Sequence, residues 1–76
     1  MGAASKQPGR LTITLNGEPY TLDGETRLSS LIMALKMRAT RIAVEVNRQV
    51  VPKADYDRTI LRAGDELEII NFVGGG

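Results

Sequence analysis

The chain contains no cysteine, no histidine and no tryptophan. Without cysteine there is no disulfide, no thiolate metal site and no sulfur nucleophile. Without histidine the commonest general base and the commonest metal ligand are both missing. Carboxylates and lysines remain, but the sequence does not gather them into an acid–base site, so neither an independent enzyme nor a metal centre is expected. A long apolar run is lacking too, and with it any expected membrane span. Residues 1–10 have no apolar centre of the kind a signal peptide needs, which makes cytoplasmic residence the expectation. Nor does one sign of charge dominate. The formal net charge is +1, too small to point to nucleic acid or anionic lipid.

What is present fits one small domain of 76 residues. Residues 1–10, MGAASKQPGR, are small and polar without periodicity and read as a disordered leader. Met1-Gly2 does not begin a myristoylation signal, because Lys6 stands where Ser or Thr is required. From Leu11 the pattern changes. Leu11, Ile13 and Leu15 alternate with Thr12 and Thr14, the period of a half-buried strand. Asn16-Gly17 suits a tight hairpin turn, and Tyr20 and Leu22 alternate on the way back. Pro19 cannot donate to a ladder, so this second strand starts late or lies at an edge.

Asp23-Gly24 then leads into a helix that Thr26 is positioned to cap. Leu28, Leu31, Ile32 and Leu35 form one apolar stripe and predict an amphipathic helix of about three turns, with Met33 and Met37 as flanking filler. Ile42, Val44 and Val46 alternate again, Asn47-Arg48 turns the chain, and Gln49 to Val51 is a short extension ended by Pro52. Lys53 to Thr59 reads as irregular, with one helical turn around Ala54 to Tyr56, and Ala63-Gly64-Asp65 is a sharp turn.

The last strand, Glu66 to Phe72, changes character along its length. Leu67 and Ile69 face one side, whereas Ile70 and Phe72 emerge on the side occupied by Glu66 and Glu68. An apolar exit from a polar face suits either a lid for a neighbouring loop or a docking surface. Ile70, Phe72 and Val73 are the docking candidates. Lys36, Arg38 and Arg41 form the nearest thing to a basic cluster, and Asp65, Glu66 and Glu68 an acidic one. Both read first as solvated charge, although opposite-sign clusters can orient an encounter with a partner.

The sequence ends Val73-Gly74-Gly75-Gly76. A glycine run cannot contribute to a core, and the bland reading is a frayed end. It also has a chemical use. With no Cβ it enters channels that exclude other residues, and extended it reaches about 10 Å. At neutral pH the terminal carboxyl is an anion and a poor acyl acceptor, so chemistry there requires prior activation.

Asn16-Gly17, the Leu28/Leu31/Leu35 helix, Ile42-Ala43-Val44-Glu45-Val46-Asn47, Val51-Pro52, Gly64-Asp65-Glu66 and Phe72-Val73-Gly74-Gly75-Gly76 together resemble the ThiS-type sulfur carriers of thiamine biosynthesis. Each motif is weak alone. Their order and spacing over residues 11–76 make the combination specific. Tyr56 stands where many relatives are expected to carry tryptophan, a change that keeps an aromatic packing role.

The resemblance implies an α+β, ubiquitin-like β-grasp fold over residues 11–73, a mixed sheet wrapped around one main helix, followed by a flexible glycine tail at residues 74–76. It also implies a role. Gly76 would be the reactive terminus, with Gly74 and Gly75 threading partner active sites. An E1-like, ThiF-type adenylyltransferase using ATP and magnesium would activate the carboxylate, and a cysteine desulfurase or other donor would supply sulfur. A ThiG-type thiazole synthase would receive it. The chain itself would bind no cofactor.

Within the same class stand the carrier of molybdopterin synthesis and a protein modifier forming isopeptide bonds. The molybdopterin carriers typically approach a Gly-Gly end through proline, which Ile70-Asn71-Phe72-Val73 lacks. From a different class comes a non-covalent β-grasp binding module that never reacts at its C-terminus.

Overall fold

Alternating segments that are apolar on one side only must share a cover, and here a single helix supplies it. The computed structural model describes residues 9–72. Strands β1 (Leu11–Leu15) and β2 (Glu18–Leu22) form a hairpin, followed by helix α1 (Leu28–Ala34). A second hairpin, β3 (Ile42–Val46) and β4 (Gln49–Val51), precedes the final strand β5 (Glu66–Asn71). Short 3-10 turns occupy Ala39–Arg41 and Lys53–Arg58. The five strands form one sheet in the order β2-β1-β5-β3-β4. The last strand is therefore central, parallel to β1 and antiparallel to β3.

Pairing of Val44 with Ile69 and of Val46 with Leu67 sets the register and puts the alternating apolar residues of both strands on one face. Leu28, Leu31 and Ile32 of α1 pack there against Ile13, Val44, Leu67 and Ile69. Tyr56 and Leu61 close the core from the long connection, so the aromatic packing role expected of Tyr56 is realised. The elements match the expected hairpin, helix, hairpin and final strand. Pro19 sits in β2, an edge strand.

Two details of the helix differ from the sequence expectation. It spans seven residues, about two turns rather than three. The cause lies at Lys36, which adopts φ 62°. The Lys36 N–H donates to Met33 O at 2.9 Å and the Met37 N–H to Ile32 O at 3.1 Å, a Schellman stop that satisfies the last carbonyls. Leu35 becomes the cap of this turn and is only half-buried. The other difference is that Thr26 does not cap. Arg27 holds the N-cap position without a side-chain bond, and the Thr26 hydroxyl donates to Gly24 O at 2.7 Å. The first helical N–H, that of Leu28, instead donates to Thr59 O at 2.8 Å, while Leu61 N–H donates to Thr26 O at 2.9 Å. A distant backbone segment replaces the local cap and draws Leu61 into the core.

Of the leader, Gly9 lies in a turn beside Gly24. Met1 to Pro8, and Val73 to Gly76 at the other end, lie outside the described residues.

Candidate functional site

The sheet has two faces and the helix covers one. The register assigns Ala43 and Glu45 of β3, Val50 of β4, and Glu66, Glu68 and Ile70 of β5 to the uncovered face. Phe72 continues that alternation one step past the strand.

A core requirement does not explain Ile70 and Phe72. Their relative exposures are 53% and 54%, and Val50 reaches 70%. In the described structure Ile70 and Phe72 are therefore not lids over a buried neighbour. Ile70 stands opposite Ala43, whose small side chain leaves the isoleucine standing proud. The Phe72 N–H donates to Arg41 O at 2.7 Å and marks the point where the chain leaves the sheet. Of the basic residues singled out in the sequence, Arg41 thus flanks this exit. Lys36 is occupied in the helix stop, and Arg38 precedes the 3-10 turn at Ala39–Arg41.

Two turns hold the central strand in place. Asn16 and Gly17 have φ of 50° and 85°, and Asn47 and Arg48 have 52° and 70°, the positive pairs that tight hairpins demand. Both asparagine side chains bond to β5. Asn16 Oδ1 accepts the Ile69 N–H at 2.8 Å, and Asn47 Oδ1 accepts the Glu66 N–H at 2.9 Å. The Asn47 amide also donates to Asp65 Oδ1 at 3.0 Å, while Asp65 Oδ2 accepts the Arg62 N–H at 2.8 Å. Asp65, grouped in sequence with Glu66 and Glu68, therefore belongs to a turn rather than to the open face.

Glu45, Glu66 and Glu68 line a shallow depression of about 360 Å³ together with Thr14, Gly17 and Arg48. Glu45, with Ala43, falls on the outer face by strand alternation, as the sequence pattern predicts, whereas nothing local in the sequence places Val50 there. The alternation through Val44 and Val46 contained the signal for Glu45, since its neighbours point inward. Val50 needed the β3–β4 register. Gly74, Gly75, Gly76 and Val73, the expected reactive tail and its base, lie outside the described residues.

A five-stranded mixed sheet wrapped on one helix, with a central C-terminal strand running out beside a bare apolar and acidic face, defines a ubiquitin-like β-grasp protein. A model of the ThiS family matches residues 13–76. The crystal structure of the thiamine biosynthesis protein (ThiS) from Geobacter metallireducens superposes with a TM-score of 0.74 at 36% identity, covering 87% of this chain and 100% of that one. The uncharacterized protein ycf40 of Porphyra purpurea is 35% identical over 87% of this chain and 93% of its own length. A thiazole synthase of Magnetococcus marinus is 38% identical over 87% of this chain, which spans only 20% of that longer protein. The chain belongs to the ThiS family, the sulfur-carrier family that its motifs taken together resemble.

Proposed function

We propose that this chain carries sulfur for thiazole formation in thiamine biosynthesis, on a thiocarboxylate at Gly76. The observation that carries the reading is the central strand itself. It lies in the middle of the sheet and carries exposed Ile70, with exposed Phe72 just beyond it, and in sequence Val73-Gly74-Gly75-Gly76 come next. The body is a handle and the terminal carboxyl is the working group.

The chemistry follows from a carboxylate that cannot be attacked as it stands. An oxygen of Gly76 attacks the α-phosphorus of ATP in an E1-like, ThiF-type enzyme, and pyrophosphate leaves. That enzyme, not this chain, holds ATP and magnesium. A persulfide from a cysteine desulfurase or comparable donor attacks the acyl carbon and expels AMP. A thiol then cleaves the resulting acyl disulfide, leaving the thiocarboxylate. Glycine at the last position leaves the acyl carbon open on both sides, and Gly74 and Gly75 thread a channel too narrow for side chains. Ile70, Phe72 and Val73 form the docking surface at the channel mouth.

Thiazole synthase is the proposed acceptor. The support is that thiazole synthases of Magnetococcus marinus and Paramagnetospirillum magneticum each contain a segment like this chain, at 38% and 33% identity. The test of the activation step is ATP–pyrophosphate exchange with the purified activating enzyme of the source organism. The full chain supports exchange and the chain lacking Gly76 does not. Equal exchange with both would refute activation at Gly76.

A further inference from the structure

The helix side of the molecule carries an apolar groove between α1 and the 3-10 turn at Lys53–Arg58, with a volume of about 300 Å³. Ile32 of the helix and Tyr56 of the turn, both buried, form its floor, and Met37, Ala39 and Ala54 line it as well. Met33 also lines it and is 76% exposed, the most exposed large hydrophobic side chain among the described residues. A long, adaptable thioether beside an apolar hollow is a knob next to a hole. Lys53 and Asp57, both exposed, complete the rim. Within the same turn Arg58 pairs with Asp55 at 3.1 Å, whereas among the described residues neither Lys53 nor Asp57 forms an ion pair. The rim therefore offers one charge of each sign that the fold itself does not use.

We propose that this groove is the contact of a weak two-fold homodimer, in which Met33 of each copy enters the other's groove and Lys53 of each pairs with Asp57 of the other. A two-fold interface presents the same patch twice, so every feature of the patch must meet its complement on that patch. A knob beside a hole, and a cation beside an anion, together satisfy that requirement. A different protein would have to bring an apolar knob and both charges in reversed order. The net charge of +1 leaves little repulsion between copies. A single groove is small beside the roughly 800 Å² per partner of a standard interface. Association is therefore reversible, with a dissociation constant on the order of 10⁻⁴ M. The helix lies on the covered face of the sheet, so both copies keep exposed Ile70 and Phe72 clear of the contact. The dimer goes beyond the carrier reading and needs neither Gly76 nor a partner enzyme.

The test is sedimentation velocity of the full chain from about 10 µM to about 1 mM, a range that brackets the expected constant. The weight-average mass rises with concentration from the 8.3 kDa of one chain toward twice that value. Met33→Glu, at an exposed position, keeps the wild-type melting temperature and stays at the monomer mass throughout. Lys53→Glu and Asp57→Lys each weaken association about tenfold, because like charges then face each other twice. The two variants mixed associate as tightly as wild type, since the new anion of one faces the new cation of the other. The double variant Lys53→Glu/Asp57→Lys, whose net charge is unchanged, restores the homodimer. A monomer mass for wild type at every concentration would overturn the proposal. So would a dimer that Met33→Glu leaves intact, or a mixture no tighter than either variant alone. A strictly monomeric wild type whose binding to thiazole synthase or to the activating enzyme is weakened by Met33→Glu would also overturn it, and would give the groove to that enzyme.

Discussion

The side-chain amide of Asn16 pairs with both backbone groups of Ile69, a residue 53 positions away. Its Oδ1 accepts the Ile69 N–H at 2.8 Å and its Nδ2 approaches Ile69 O at 3.4 Å. β1 ends at Leu15, so the asparagine side chain stands in for the backbone of one more strand residue. Asn16→Gly keeps the positive φ and removes only the amide. It leaves the Ile69 N–H without its partner and is expected to cost about 1–2 kcal/mol, read from the urea midpoint. Asn16→Ala adds strain in the left-handed region and costs about 1 kcal/mol more. Equal stability of wild type and both variants would remove the asparagine from the set of contacts that hold β5.

Lys36 ends α1 at a position where glycine is the usual residue. The geometry of the stop is complete, with the bonds from Lys36 to Met33 and from Met37 to Ile32 both formed. Only the residue type is unfavourable. Lys36→Gly is therefore expected to stabilise the domain by about 0.5–1 kcal/mol, a rise in melting temperature with no change of fold. Lys36→Val moves the other way, since a β-branched side chain suits φ 62° least.

Burial raises the Tyr56 hydroxyl above its ordinary value of 10.0. The sign follows from proton counting. Above pH 10 the unfolded chain loses this proton more readily than the folded one, so the native state binds more protons and stability falls as pH rises. The contribution is fully present below the unfolded value and disappears as pH passes through the higher folded one. Urea midpoints recorded from pH 8 to 11 should fall at the alkaline end, and Tyr56→Phe should flatten that fall while leaving stability near pH 7 close to wild type. An identical alkaline slope in both proteins would assign the loss to other groups.

Ile70 and Phe72 are exposed, whereas Leu67 and Ile69 are buried within the same strand. Substituting the two pairs separates docking from folding. Ile70→Glu and Phe72→Glu are expected to shift the melting temperature little and to weaken binding to the activating enzyme at least tenfold, the effect of a charge placed in an apolar contact. Leu67→Ala is expected to cost about 2–5 kcal/mol of stability, a large share of what a domain this small possesses. A large fall in melting temperature for Phe72→Glu with unchanged affinity would place Phe72 in the core.

The fold was legible wherever short-range chemistry decides. Asn16-Gly17 could serve as little other than a hairpin turn, and its positive dihedrals are both realised. Leu28, Leu31 and Ile32 announce the buried side of a helix by their spacing. What escaped depends on partners far along the chain. Thr26 looks like a cap until Thr59, more than thirty residues later, supplies the acceptor for the helix start. Lys36 gives no hint of a left-handed stop, because lysine ordinarily continues a helix. The parallel pairing of β1 with β5 leaves no local trace either. For the candidate site, the outward turn of Ile70 and Phe72 was readable from alternation alone. The facing of Glu45 and Glu68 was not, since it exists only through the β3–β5 register.

Intact-mass spectrometry of the chain after incubation with the activating enzyme, ATP and a sulfur donor tests the central claim most directly. The account predicts a gain equal to the exchange of one oxygen for sulfur, with the fragment ions placing it on Gly76 and no gain in the chain lacking that residue. Sulfur located on any other residue, or no gain in the presence of active partners, would contradict it.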